Sequence, residues 1–86
     1  MTKVIKFYAD WCGPCRVYAK TFDKVSEELK DTVEFVNINV EKDTSGLAGE
    51  YKVTAIPTTV IIKDGKESIK NGRLTEDQLK SFILNE

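Results

Sequence analysis

The feature that most constrains this chain is a short apolar run, Val4 to Ala9, that passes almost at once into a helical pattern and then into a second apolar run, Val33 to Val40. The first run is β-rich and short, as expected of a strand in the interior of an α/β sheet. Behind it, Tyr18, Phe22, Val25 and Leu29 recur at offsets of four, seven and eleven and form one apolar stripe. This stripe predicts a helix from about Cys12 to Lys30, with Lys20, Asp23, Lys24, Glu27 and Glu28 largely elsewhere on its surface. Its aromatic residues read as core packing. The second run alternates around Glu34, Asn37 and Asn39 and predicts a strand. Strand, helix and strand in this order imply a right-handed crossover and a parallel pair.

The remainder reads as a smaller version of the same grammar. Asp43, Thr44 and Ser45 can cap a short helix through about Tyr51, weakened by Gly46 and Gly49. Thr58 to Ile62 is a third strand, and Asp64-Gly65 is a hairpin turn into a fourth near Lys66 to Lys70. Thr75 and Gln78 have capping-box spacing, with Leu74 and Leu79 placed to staple across the start of a last helix that turns Leu79, Phe82 and Ile83 inward. The expectation is an α/β fold, βαβ followed by αββα, whose four-stranded mixed sheet has order 2-1-3-4, the last strand antiparallel and helices on both faces. Residues 1–86 are read as one domain, since no repeat, low-complexity tract or Pro/Ser-rich linker interrupts them.

Between the first strand and its helix stands Trp11-Cys12-Gly13-Pro14-Cys15-Arg16, which holds the only two cysteines of the chain. Two thiols this close at a first helical turn can close a disulfide on each other and so hold two electrons. The unsatisfied amides of a helix start also place partial positive charge where a thiolate would sit. The thiolate is the nucleophile, so Cys12 at the very start is expected to be the exposed attacker and Cys15, one turn in and partly covered, the resolving thiol. Pro14 suits a first turn because its missing N–H would have been an orphan, and Gly13 lets the chain bend between the sulfurs.

Two blander readings compete. A purely structural disulfide between such near neighbours would remove little chain entropy, because loop-closure stabilisation grows with loop length. A zinc site would have to borrow ligands from another molecule or from carboxylates, because the chain has no histidine and no second cysteine pair.

Composition narrows the partners. Of 86 residues, 41% are apolar and 31% charged, with a net charge of −1 and the basic residues dispersed, so no electrostatic footprint for nucleic acid or an anionic membrane is present. Protein partners and a monomeric state are expected. Met1 to Lys6 carries two lysines and no long apolar segment, which argues against a signal peptide or spanning helix and makes a cytoplasmic, reducing compartment the expectation.

Phe7-Tyr8-Ala9-Asp10-Trp11-Cys12-Gly13-Pro14-Cys15-Arg16 resembles the active-site segment of the thioredoxin family, and Ile56-Pro57-Thr58 resembles that family's cis-proline loop. Lys63-Asp64-Gly65 and Asn71-Gly72-Arg73-Leu74 are similar to its hairpin and the approach to its last helix. The resemblance covers essentially the whole chain, beginning at a strand that ordinary thioredoxins precede with another strand and helix. It is therefore similar in outline to the short thioredoxin-like forms of phages, prophages and some archaea. It implies a minimal thioredoxin fold with the strand Val33–Val40 at an edge and one sheet face less covered.

By this resemblance Cys12 attacks, Cys15 resolves, and Trp11, Gly13 and Pro14 shape the rim. Ile56 would offer its backbone to an extended substrate peptide, and Pro57, if cis, would keep an N–H and a side chain away from the dithiol and prevent metal capture. Taken by itself, Pro57 also reads as a simple turn proline. Three positions depart from the family pattern: Lys6 stands where a buried aspartate is usual, Asn37 where a lysine is, and Lys20 where a proline kinks the helix. The carboxylate usually credited with proton transfer to the inner cysteine is thus absent, and the helix should be straighter. For Lys6, strand alternation leaves two places, solvent at the end of the trimmed face or the neighbourhood of the inner sulfur.

The function implied is a protein disulfide reductase with no cofactor beyond its own Cys12–Cys15 disulfide, recharged by thioredoxin reductase, with ribonucleotide reductase as a client by family analogy. Two alternatives stay open: a glutaredoxin-like protein reduced by glutathione, and a non-catalytic module in which the fold serves as a clamp for a larger enzyme.

Overall fold

The computed structural model describes residues 2–85. In chain order it contains β1 (Thr2–Tyr8), α1 (Gly13–Leu29), β2 (Val33–Asn39), α2 (Leu47–Glu50), β3 (Thr58–Lys63), β4 (Lys66–Asn71) and α3 (Glu76–Asn85). The strands form a sheet of order β2-β1-β3-β4, the order read from the sequence, with β2 at an edge. β1 and β2 run parallel, Val4 opposite Phe35, as the crossover requires. β4 pairs antiparallel with β3 through Asp64 and Gly65, whose φ angles of 53° and 79° give the two positive values that a two-residue hairpin turn needs. The join between β1 and β3 is antiparallel as well, which the sequence reading had not specified.

β1 is buried on both sides because layers pack against both faces of the sheet. Val4 joins Tyr18, Phe22, Val25, Ile61, Leu79, Phe82 and Ile83 in a core beneath α1 and α3. Ile5, Phe7 and Val60 form a second core on the opposite face, covered by Leu47, Ala48 and Tyr51 of the α2 segment. Helices therefore lie on both faces. Phe22 meets Tyr18 edge-to-face within α1 at a centroid distance of 5.9 Å, and its edge-to-face contact with Phe35 at 5.5 Å ties α1 to β2.

Helix ends follow local chemistry with one exception. The Thr75 hydroxyl accepts from the Gln78 amide at 3.1 Å while the Gln78 side chain accepts from the Thr75 amide at 2.9 Å, a reciprocal capping box. α2 is only four residues long and stops short of the expected Tyr51. Gly46, with φ 78°, takes the N-cap place and has no side chain to offer. Asp43 and Ser45 cap from outside instead: the Asp43 carboxylate accepts from the amides of Ser45 and Ala48, and the Ser45 hydroxyl accepts from that of Leu47. Among the described residues no helix is long and apolar enough to cross a membrane.

Candidate active site

β1 delivers its last residues to the point where α1 begins, and Cys12 becomes the N-cap of α1 rather than its first residue, with φ −84° and ψ 110°. Its sulfur accepts a hydrogen bond from the Cys15 amide at 3.2 Å, satisfying one of the orphan donors of the first turn. Pro14 occupies that turn, where it withholds no needed donor. The Cα atoms of Cys12 and Cys15 are 5.2 Å apart and the sulfurs form a disulfide.

The expectation of an exposed Cys12 needs correction. Cys12 is 5% exposed and Cys15 2%. Both sit in a small apolar cluster with Ala9, against which Tyr8, Val40 and Ile56 pack. Burial of Cys12 comes from the Ile56 loop, whose carbonyl oxygen lies 4.0 Å from the Cys12 sulfur. The Ile56–Pro57 peptide bond is cis. Around it, the Pro57 carbonyl accepts from the Gly72 amide at 2.8 Å and the Thr58 hydroxyl donates to the Ala55 carbonyl at 2.6 Å, so the loop is tied to the residue that follows β4 and to itself. Ile56 takes part in no backbone–backbone hydrogen bond among the described residues.

Trp11 is 66% exposed and, with Gly13 and Pro14, forms the outer rim. An apolar groove of about 230 Å³ runs from Trp11 past Val40, Ala48 and Val53 to Ile56. The sequence reading named both ends of this groove and missed its floor. Val40 ends the predicted second strand, Ala48 falls inside the predicted short helix and Val53 in the stretch after it, and their only sequence signal was apolar character.

Beyond the rim the Arg16 guanidinium donates to the Asp10 carbonyl at 3.1 Å, and Lys42 pairs with the Asp10 carboxylate at 3.6 Å. Behind the disulfide, on the α1 side of the sheet, a second cavity of about 340 Å³ is lined by Lys6, Tyr8, Asp23, Asn37 and Cys15 among others. Lys6 and Cys15 share the lining of this cavity. Lys6 is 4% exposed, and its ammonium stands 4.9 Å from the Phe22 ring centroid and 5.2 Å from that of Tyr8. Burial pulls the Lys6 pKa down, and the charge of Asp23 opposes this. Among the described residues no three His, Cys, Asp or Glu side chains converge as a metal site would require.

A dithiol so placed can exchange with another disulfide. One sulfur sits at a helix N-terminus, the other one turn inward, and an apolar groove with unpaired backbone leads to them.

Comparison with known proteins agrees with this geometry. The family model described as Thioredoxin matches residues 1–85. The chain is 46% identical over 83 residues to the chloroplastic thioredoxin Y2 of Arabidopsis thaliana, covering 95% of this chain and 49% of that protein. It is 35% identical over 81 residues to a thioredoxin of Mycoplasmoides gallisepticum, covering 93% of this chain and 79% of that one. The X-ray structure of Fasciola hepatica thioredoxin superposes with a TM-score of 0.84 at 40% identity, covering 95% of this chain and 77% of that chain. The chain spans about half the length of its chloroplastic relatives.

Proposed function

The chain belongs to the thioredoxin family, and we propose that it works as a protein disulfide reductase through Cys12 and Cys15, with residues 1–86 acting as one unit. The observation that supports this reading above all is the N-cap position of Cys12. There the helix N-terminus and the Cys15 amide both favour a sulfur carrying negative charge, which is the attacking form.

In the proposed cycle the reduced pair meets a substrate disulfide in the groove beside Trp11. The Cys12 thiolate attacks one substrate sulfur, forming a mixed disulfide and releasing the other substrate sulfur as a thiolate that takes a proton from water. The Cys15 thiol then loses its proton and attacks the Cys12 sulfur, so the Cys12–Cys15 bond forms as the bond to substrate breaks. Two electrons have passed to the substrate. Ile56, without backbone–backbone pairing of its own, would hydrogen-bond an extended peptide as an added strand does, while Gly13, Pro14 and Pro57 keep the approach to the sulfurs narrow. No metal or prosthetic group enters this cycle.

The electron donor we propose is thioredoxin reductase, and the working compartment a reducing one such as the cytoplasm. Ribonucleotide reductase is one client whose chemistry fits. The test is insulin reduction followed by NADPH consumption, with thioredoxin reductase in one arm and glutathione plus its reductase in the other. Turnover in the first arm, abolished by Cys12→Ser, is the expected result. Turnover only with glutathione would make the protein glutaredoxin-like. Failure in both arms would leave a binding module and refute the proposal.

A further inference from the structure

Lys6 is a buried cation that the exchange cycle does not use. It lies in the middle of the central strand, yet no ion pair to it is found among the described residues. The aromatic rings of Phe22 and Tyr8 stand where a carboxylate would be expected, and they favour a cation by their electron-rich faces while providing no hydrogen-bond acceptor. Its one opening is the cavity behind the disulfide, whose wall includes Cys15.

We propose that Lys6 is a positioning residue for the resolving step: its ammonium, held in the cavity that Cys15 also lines, favours the thiolate form of Cys15. The inference rests on the dithiol reading above and deepens it.

The other charged groups around this cavity are weaker candidates. From α1, Asp23 and Arg16 reach it, and from the loop before α1, Asp10; all three are exposed to water, which screens them, and Asp10 is paired with Lys42. β2 contributes Asn37, which is neutral. Tyr8, from β1, also lines the cavity and shares its ring face with Lys6. β3 places Thr59 beside Lys6, and its hydroxyl is engaged by that of Tyr18 at 2.7 Å. Lys6 is therefore the least exposed of the charged residues that line the cavity, and a charge is screened least where protein covers it most.

The consequence falls on a defined proton. Before Cys15 can attack the mixed disulfide, its thiol proton must leave to cavity water. A fixed positive charge nearby makes that loss easier and lowers the pH at which it occurs.

The experiment isolates Cys15 in a Cys12→Ser background and follows both its ultraviolet thiolate absorbance and its alkylation by iodoacetamide across pH. Lys6→Met removes the charge and keeps the length; Lys6→Arg keeps the charge. Met should raise the midpoint by about one unit, a tenfold loss of thiolate on the acidic limb, and Arg should stay near the parent value. Lys6→Gln supplies a second uncharged side chain, read in the same way should the Met variant fail to fold. An unchanged midpoint in the uncharged variants, or an Arg variant shifted as far as Met, would overturn the proposal. Insulin reduction by the unaltered chain is measured alongside. Turnover with an unmoved midpoint removes Lys6 from the account and leaves the dithiol reading standing, whereas a moved midpoint without turnover does the reverse.

Discussion

The hydrogen bond between the Tyr18 and Thr59 hydroxyls, 2.7 Å long, joins the helix that carries Cys15 to the strand that follows Pro57. Tyr18 is 1% exposed and Thr59 fully buried, so neither hydroxyl has water as an alternative partner. Tyr18→Phe strands the Thr59 hydroxyl, and Thr59→Val, nearly the same shape, strands that of Tyr18. Each single change should cost about 1–3 kcal/mol, whereas the double variant replaces both partners by apolar groups and should lie within about 1 kcal/mol of the parent. Independent effects would instead sum to about 2–6 kcal/mol in the double variant. For a chain of 86 residues each kcal/mol corresponds to a fall of about 4–8 °C in Tm.

Alkaline pH supplies a second reading of the same bond. Burial pushes the Tyr18 pKa from 10.0 up to about 12, against the opposing effect of its hydrogen bond to Thr59. The folded state then keeps a proton that the unfolded chain releases above about pH 10, so this contribution is complete below pH 10 and lost as pH rises toward 12. Two units correspond to about 3 kcal/mol, which Tyr18→Phe should remove from the alkaline limb. Tyr51, also pushed upward by burial, remains in both proteins and cancels in the difference. Urea titrations at neutral pH and between about pH 9 and 12 measure both quantities. A Tyr18→Phe variant as stable as the parent at neutral pH, or two single costs that simply add, would refute the reasoning.

Two further expectations follow from packing and capping. Phe22→Ala should destabilise by about 3–5 kcal/mol in urea unfolding, because it empties the contact with Tyr18, Phe35 and the Lys6 ammonium together; a loss under about 1 kcal/mol would contradict the core described here. Thr75→Ala should cost about 1 kcal/mol and Thr75→Ser much less, with amide exchange in the first turn of α3 accelerating in the alanine variant only.

Features set by neighbouring residues were legible in the chain, and features set by distant ones were not. The capping box at Thr75 and Gln78, the Asp64-Gly65 hairpin and the stripe from Tyr18 to Leu29 all depend on residues a few positions apart, and each appears in the structure as expected. Alternation on β1 assigned Lys6 to the side of Val4 and Tyr8, but its cover comes from Phe22 across the sheet face, so its burial was open until α1 was in place. Burial of Cys12 depends on Ile56, 44 positions away, and could not be read from the motif. The antiparallel join of β1 to β3 depends on how the segment around α2 returns to the sheet, a path without strong periodicity. α2 is short for a local reason that the sequence carries: Gly46 takes the N-cap with no side chain to offer, and Gly49 lowers the helix propensity within it.

The central claim is that Cys12 attacks and Cys15 resolves. It is tested most directly by incubating reduced Cys15→Ser and Cys12→Ser variants with a disulfide-bonded protein substrate and identifying trapped covalent adducts by mass spectrometry. Without its resolving partner, Cys12 should accumulate as a stable one-to-one mixed disulfide, while the Cys12→Ser variant, whose remaining thiol lies inside the first turn of α1 rather than at its N-cap, should form little or none. Adduct formation through Cys15 as fast as through Cys12, or no adduct with either variant, would contradict it.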